Sequence, residues 1–229
     1  MTYLSIIIPS YNSNDRVVKL IGLIKKLKIP GINKEIIVVD DASRNHTFSQ
    51  LKKLKGIILI RHSKNTGKGG AIQTGLKRAK GDILFLQDDD MEYDPFDIPK
   101  VIKPILKGKT EIVFGSRRLN KKNSYSSFIY YAGGVFVDFI ISLILQTGTT
   151  DAITGSKAFT RNVYDSIKPI ESAGFEIESE IVAKAVKAGF MPAEVPISYN
   201  PRSHQEGKNI RWHHVYPIFK TLLKYAWFS

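Results

Sequence analysis

The chain has 229 residues, 43% hydrophobic and 24% charged, a balance that excludes a disordered, collagenous or multi-spanning membrane protein. Its 34 lysines and arginines outnumber 21 acidic residues by 13, a surplus that favours an anionic partner: nucleic acid, a phosphorylated small molecule or an acidic membrane surface. No cysteine is present, which excludes disulfides, a cysteine-based zinc site and a thiol nucleophile, and fits a reducing compartment.

The N-terminal MTYLSIIIPSYNSND lacks a basic start and its apolar run is short, so it reads as a mature intracellular start rather than a secretory leader. Five nearly continuous apolar runs then follow, at residues 4–8, 35–39, 57–61, 83–87 and 111–115. Runs of this kind are strands covered on both faces. Helical spacing separates them at 16–27 and 70–79, which implies right-handed βαβ units and a mostly parallel α/β sheet. Ligands of such sheets bind at the carboxyl ends of the strands, a rim that here gathers residues 9–12, 40–43, 67–70 and 88–92.

The second half is less regular. FIYYAGGVFVDFIISLILQ lies in a stretch, between Lys122 and Asp151, whose one charged residue is Asp138. A central aspartate and the Gly133-Gly134 pair argue for a buried or interfacial helix over a membrane span. A loop at 148–157, a helix at 176–188, a strand at 193–199 and a basic loop at 201–211 follow. The closing PIFKTLLKYAWFS suits a membrane surface, or a stub before a further segment. One domain is expected over 1–229, with a ligand-binding half at 1–120 and a specialised half at 121–229.

The segment ILFLQDDDME brings Asp88, Asp89 and Asp90 to the end of one strand. Alternation points Asp88 and Asp90 to the same side and Asp89 away. Two carboxylates that close suit a hard divalent cation, Mg²⁺ or Mn²⁺, with positions left for phosphates; a solvated acidic turn is the plainer reading. A Walker loop is excluded because Gly67-Lys68 is followed by Gly69 and the upstream glycine position holds His62. PSYNSN after the first strand excludes a dinucleotide fingerprint. NTGKGGA opens a helix with glycines and a lysine, which suits a phosphate or close packing on a base.

PSYN, EIIVVDDAS, NTGKGGAIQTGLKRAKGD, LFLQDDD and GSR, in this order and spacing, resemble the family 2 glycosyltransferases of GT-A fold. The later DAITGSKAF, GFEIESEIVAKAVKAG and EVPISYNPRSHQEGKNI resemble the branch of dolichyl-phosphate mannosyltransferases and related polyprenyl-phosphate sugar transferases. The resemblance spans essentially the whole chain. It implies that Pro9, Tyr11 and Asn12 line a nucleotide pocket, with Asp40 or Asp41 reading the base edge. Lys68 and Gly69 would close the base and ribose site. Asp88 and Asp90 would form the DxD-type pair on metal and diphosphate, with Asp89 in the nucleotide-sugar site and Glu92, where relatives usually carry glutamine, as a third metal ligand. Asp90, Arg117, Arg202 and Lys208 would carry the reaction, the cations facing donor and acceptor phosphates.

That reaction is metal-dependent transfer of a sugar, with inversion, from a nucleotide sugar of GDP-mannose or UDP-glucose type to a polyprenyl or dolichyl phosphate. Such an acceptor is already an anion and needs no base. The implied setting is peripheral, on the cytoplasmic face of a membrane. The alternative is a family 2 enzyme that elongates a soluble or cell-surface glycan, with a base among Glu176, Glu178 and Glu180. A nucleic-acid partner is disfavoured by the acidic DDD rim.

Overall fold

The apolar runs of the first half form parallel strands, buried along β1, β4 and β5 and half-buried in the edge strand. The computed structural model describes residues 2–125, 127–202 and 215–227. The strands are β1 (Thr2–Ser10), β2 (Ile32–Asp40), β3 (Ile58–Arg61), β4 (Ile83–Leu86), β5 (Ile112–Ser116), β6 (Lys157–Thr160) and β7 (Ala193–Pro196). They make one sheet in the order β3-β2-β1-β4-β6-β5-β7. Pairs β1–β2, β1–β4, β2–β3 and β5–β7 are parallel. Only β6 runs the other way, antiparallel to β4 and β5.

The helices are α1 (Asp15–Lys26), α2 (Thr47–Leu51), α3 (Gly67–Arg78), α4 (Ile98–Leu106), α5 (Phe128–Leu145), α6 (Arg161–Ile167), α7 (Ile177–Lys187) and α8 (Val215–Trp227), with a 3₁₀ turn at Pro95–Asp97. Strand alternation divides the core in two. Leu4, Ile6 and Ile8 of β1, with Phe85 of β4, pack on α1 and α4. Ile7, Leu84 and Phe114 face the opposite way, toward α3, α5 and α7.

The five expected strands are all present, within three residues at either end. β6 was not expected; it begins at the last residue of the 148–157 loop. It is four residues long and carries a lysine, so it offers no apolar run to read. It matters because it separates β4 from β5 and joins the second half of the chain to the sheet of the first.

The helix α5 has one buried and one exposed apolar face. Val137, Ile141 and Leu145 recur every fourth residue and are buried in the core. Phe136, Phe139 and Leu143 are each at least 60% exposed. An apolar face thus meets solvent beside an apolar face that meets protein. Among the described residues, no helix is long and apolar enough to cross a membrane.

Candidate active site

The carboxyl ends of β1 and β4, the start of α3 and one face of α5 enclose a cavity of about 730 Å³. Pro9, Tyr11, Asn12, Asp41, Lys68, Asp88, Asp89, Asp90, Glu92, Arg117 and Arg202 all line it. Asp40 and Gly69 sit behind the wall, and Lys208 lies outside the described residues. The rim read from the sequence is therefore one site.

At the β1 end, the Asn12 backbone N–H donates to Ser43 Oγ at 2.9 Å, and its side chain accepts from the Arg44 N–H at 2.9 Å. Asp41 is buried and holds the start of α3. It accepts from the N–H groups of Thr66 (2.9 Å) and Gly67 (2.8 Å), and His62 Nδ1 lies 2.7 Å away. Asp40 is fully buried, with Arg61 at 3.5 Å and one carboxylate oxygen without a partner among the described residues.

Within the glycine-rich motif, Gly67 and Lys68 line the cavity and Gly69 does not. A Cβ on Gly69 would lie 2.2 Å from the Ser172 carbonyl oxygen, so only glycine admits that strand of chain. Gly70 N–H donates to Ala173 O at 3.1 Å, and Gln73 Nε2 to Ser172 O at 2.8 Å. Glu180 secures the same loop by accepting from the Glu171 and Ser172 N–H groups at 2.9 and 2.7 Å. Gly69 thus clasps the 171–174 loop and does not face the cavity. Lys68 points the other way, its Nζ 2.7 Å from Asp88 and 3.0 Å from Glu178. Burial pulls the ammonium down, but the Asp88 and Glu178 carboxylates outweigh it and hold Lys68 above the ordinary lysine range.

The three aspartates lie past the end of β4, and each takes a different partner. Asp89 turns toward β1 and accepts from the Ser13 hydroxyl. Asp88 pairs with Lys68, while Asp90 pairs with Arg202 at 2.7 Å. Met91 follows at a φ of 65°, which turns the chain so that Glu92 N–H donates to Asp90 at 3.0 Å. Positive φ in a residue like methionine is strain held by its surroundings. Burial, then the Asp88 and Glu92 charges, push the Asp90 carboxyl up to about 7, against the pull of Arg202. The all-oxygen donors of this cluster suit a hard divalent cation.

Glu92 has other partners than a metal. One oxygen accepts from Arg202 Nε at 3.1 Å, the other from the Tyr199 hydroxyl at 3.0 Å. Among the described residues, no three acidic or histidine side chains form a ready-made ligand set. Asp88 and Asp90 fit a cation that takes its remaining ligands from phosphate and water, as Mg²⁺ commonly does.

The far end of the cavity is cationic and aromatic. Arg117, expected to touch phosphate, is held by Asp151 through Nε at 2.7 Å and Nη2 at 2.6 Å. Its guanidinium lies over the rings of Tyr199 and Tyr93, at 5.3 and 5.9 Å. Arg118 reaches Asp138 of α5 at 2.5 Å. Tyr125 and Tyr131 complete the wall, their ring centroids 4.3 Å apart. Sequence reasoning missed these tyrosines and Asp151. Asp151 lies 34 residues from Arg117, and no local pattern marks it or the tyrosines.

Residues 5–168 match the model of glycosyl transferase family 2. A dolichol-phosphate mannosyltransferase of Pyrococcus furiosus is 30% identical over 211 residues, which are 89% of this chain and 58% of that protein. A UDP-N-acetylglucosamine--dolichyl-phosphate N-acetylglucosaminyltransferase of Methanococcus voltae is 30% identical over 228 residues, 90% of this chain and 89% of that one. Among solved structures, glucosyl-3-phosphoglycerate synthase from Mycobacterium tuberculosis, in complex with Mn²⁺, UDP and phosphoglyceric acid, superposes with a TM-score of 0.75 at 19% identity. The superposition covers 100% of this chain and 80% of that one. The mixed seven-stranded sheet and this neighbour establish the GT-A fold that the motifs implied. The chain belongs to glycosyl transferase family 2 and is a glycosyltransferase.

Proposed function

We propose that the protein transfers a sugar, with inversion, from a nucleotide sugar to a polyprenyl or dolichyl phosphate at a membrane surface. The observation that carries this reading is the state of the carboxylates at the acceptor end. A hydroxyl acceptor needs a carboxylate free to take its proton. Glu178, the acid of the 176–180 group that lines the cavity, is held by Lys157 at 2.6 Å and Lys68 at 3.0 Å. Burial alone would raise it, yet these two ammonium groups keep it below the ordinary glutamate range, a poor base. Glu180 anchors a loop, and Asp151 and Asp138 are spent on arginines. A phosphate monoester brings its own nucleophilic oxygen and asks only to be positioned.

In this reading the nucleotide lies along Pro9, Tyr11, Asn12 and Asp41, with its diphosphate toward Asp88 and Asp90. A divalent cation held by these two aspartates would supply Lewis-acid neutralisation of the departing diphosphate. Arg202, fixed on Asp90 and Glu92, stands ready to share that charge. Arg117 and Arg118, locked by Asp151 and Asp138, present a fixed positive wall to the acceptor phosphate. An oxygen of that phosphate attacks the anomeric carbon as the bond to the diphosphate breaks. The isoprenoid leaves the cavity past Tyr131 and Val137, beside the exposed Phe136, Phe139 and Leu143 of α5. That stripe, with the basic surplus, suits peripheral attachment to an anionic membrane. The relatives named for dolichyl phosphate support the acceptor class, and the neighbour solved with Mn²⁺ and UDP supports the donor side.

The test is transfer of labelled sugar from GDP- and UDP-sugars to polyprenyl phosphate with Mn²⁺ or Mg²⁺. Metal-dependent label in the organic phase is expected. Label confined to water-soluble products would favour the glycan-elongating alternative.

A separate expectation follows from Gly155. A Cβ there would lie 2.0 Å from Asp88 Oδ2. Gly155→Ala should displace that carboxylate and lower kcat by about 10²-fold, the order of loss that a 1 Å misplacement brings. The melting temperature should change little, which differential scanning fluorimetry would check.

A further inference from the structure

Lys157 is the one lysine on the sheet's short antiparallel strand, and its side chain is 0% exposed. Its Nζ lies 2.6 Å from Glu178 and 4.9 Å from the centre of the Phe114 ring. The register sets Lys157 opposite Leu86, two residues before Asp88. From there four charges alternate outward: Lys157, Glu178, Lys68 and Asp88, linked at 2.6, 3.0 and 2.7 Å. They come from β6, α7, α3 and the turn after β4, so the row ties four elements to one carboxylate.

Stability does not account for such a row. A buried ion pair is commonly replaced by apolar groups of similar volume without loss. What the row does control is the charge that Asp88 presents to the cavity. Lys68 is shared between Asp88 and Glu178. The more strongly Glu178 draws it, the more of its own charge Asp88 keeps for an incoming cation. Lys157 moderates that draw by occupying the second oxygen of Glu178.

We propose that Glu178 and Lys157 are positioning residues, which set the cation affinity of Asp88 by dividing Lys68 between two carboxylates. Glu178 lines the cavity and Lys157 lies behind it, and both act on Asp88 through Lys68. The inference rests on the reading of Asp88 as a cation ligand on the donor side, and it deepens that reading.

The test is calorimetric titration of Mn²⁺ into the protein with saturating UDP or GDP, whichever raises the melting temperature more. Lys157→Met releases Glu178 to draw Lys68, and should tighten Mn²⁺ binding about threefold or more. The double variant Lys157→Met/Glu178→Gln has the wild-type net charge and leaves no buried lysine unpaired. It gives Lys68 wholly to Asp88, and should weaken Mn²⁺ binding about threefold or more. A merely structural pair would leave the double variant at wild-type affinity, since its neutral replacements keep the volume. If the single variant does not fold, the double variant decides alone. Wild-type Mn²⁺ affinity in the double variant, with Asp88→Asn weakening it, overturns the proposal alone. Unchanged affinity in Asp88→Asn overturns the donor-site reading and the proposal with it.

Discussion

Asp90→Asn is expected to reduce metal-dependent sugar transfer by about 10²–10³-fold while leaving the protein folded. The loss follows from taking one of two carboxylates from a site where charge develops on a departing diphosphate, a role whose removal typically costs that much. The fold should survive because Asp90 is no friend to it. Burial first, then repulsion from the Asp88 and Glu92 charges, pushes the carboxyl up to about 7. A carboxyl whose folded value lies above its unfolded one makes the protein less stable as pH rises from about 4 toward 7. Asparagine removes the repulsion and keeps an oxygen for Arg202, so the metal-free melting temperature at neutral pH should not fall. It should also respond less to Mn²⁺ than the wild type does, since a ligand stabilises a fold only by binding it. Full activity with an unchanged metal requirement would remove Asp90 from the site.

The second large effect belongs to Asp151. It is fully buried and accepts three hydrogen bonds from Arg117: from N–H at 2.9 Å, Nε at 2.7 Å and Nη2 at 2.6 Å. Burial works against its charge, but the Arg117 guanidinium outweighs it and holds the carboxyl below the ordinary aspartate range. Asp151→Ala leaves that guanidinium without its counter-charge, which costs about 3–5 kcal/mol for a buried pair. For a chain of this size the melting temperature should drop by on the order of 10 °C. Arg117→Met/Asp151→Ala should recover much of that loss, because neither charge remains unpaired. Recovery of stability without recovery of transfer would mark Arg117 as a phosphate-positioning group. An unchanged melting temperature in Asp151→Ala would contradict the ion pair itself.

The parts legible in the sequence were those with local signals. β1, β2, β4 and β5 are apolar runs, and the DDD segment marks a strand end by its chemistry. The structure gives Asp89, Asp88 and Asp90 to Ser13, Lys68 and Arg202 respectively, in a turn past the end of β4. What the sequence hid was long-range. Gly69 is glycine because a carbonyl some hundred residues later passes 2.2 Å from where its Cβ would stand. Arg117 has its partner 34 residues away, and Glu92 meets Tyr199 across 107 residues. β6 hid because Lys157 interrupts its pattern, and that lysine makes sense only beside Glu178. The four expected catalytic residues fared differently. Asp90 and Arg202 came together, Arg117 proved to be tethered, and Lys208 lies outside the described residues.

The central claim is that the acceptor carries its own charged nucleophile. It is tested most directly by offering the enzyme one labelled nucleotide sugar with either polyprenyl phosphate or the corresponding polyprenol, under the same metal and pH. The account predicts label on the phosphate and none on the alcohol, because Glu178, the cavity acid of the 176–180 group, is held by Lys157 and Lys68. Comparable transfer to the alcohol would contradict it, and would make Glu178 a base despite its two lysines.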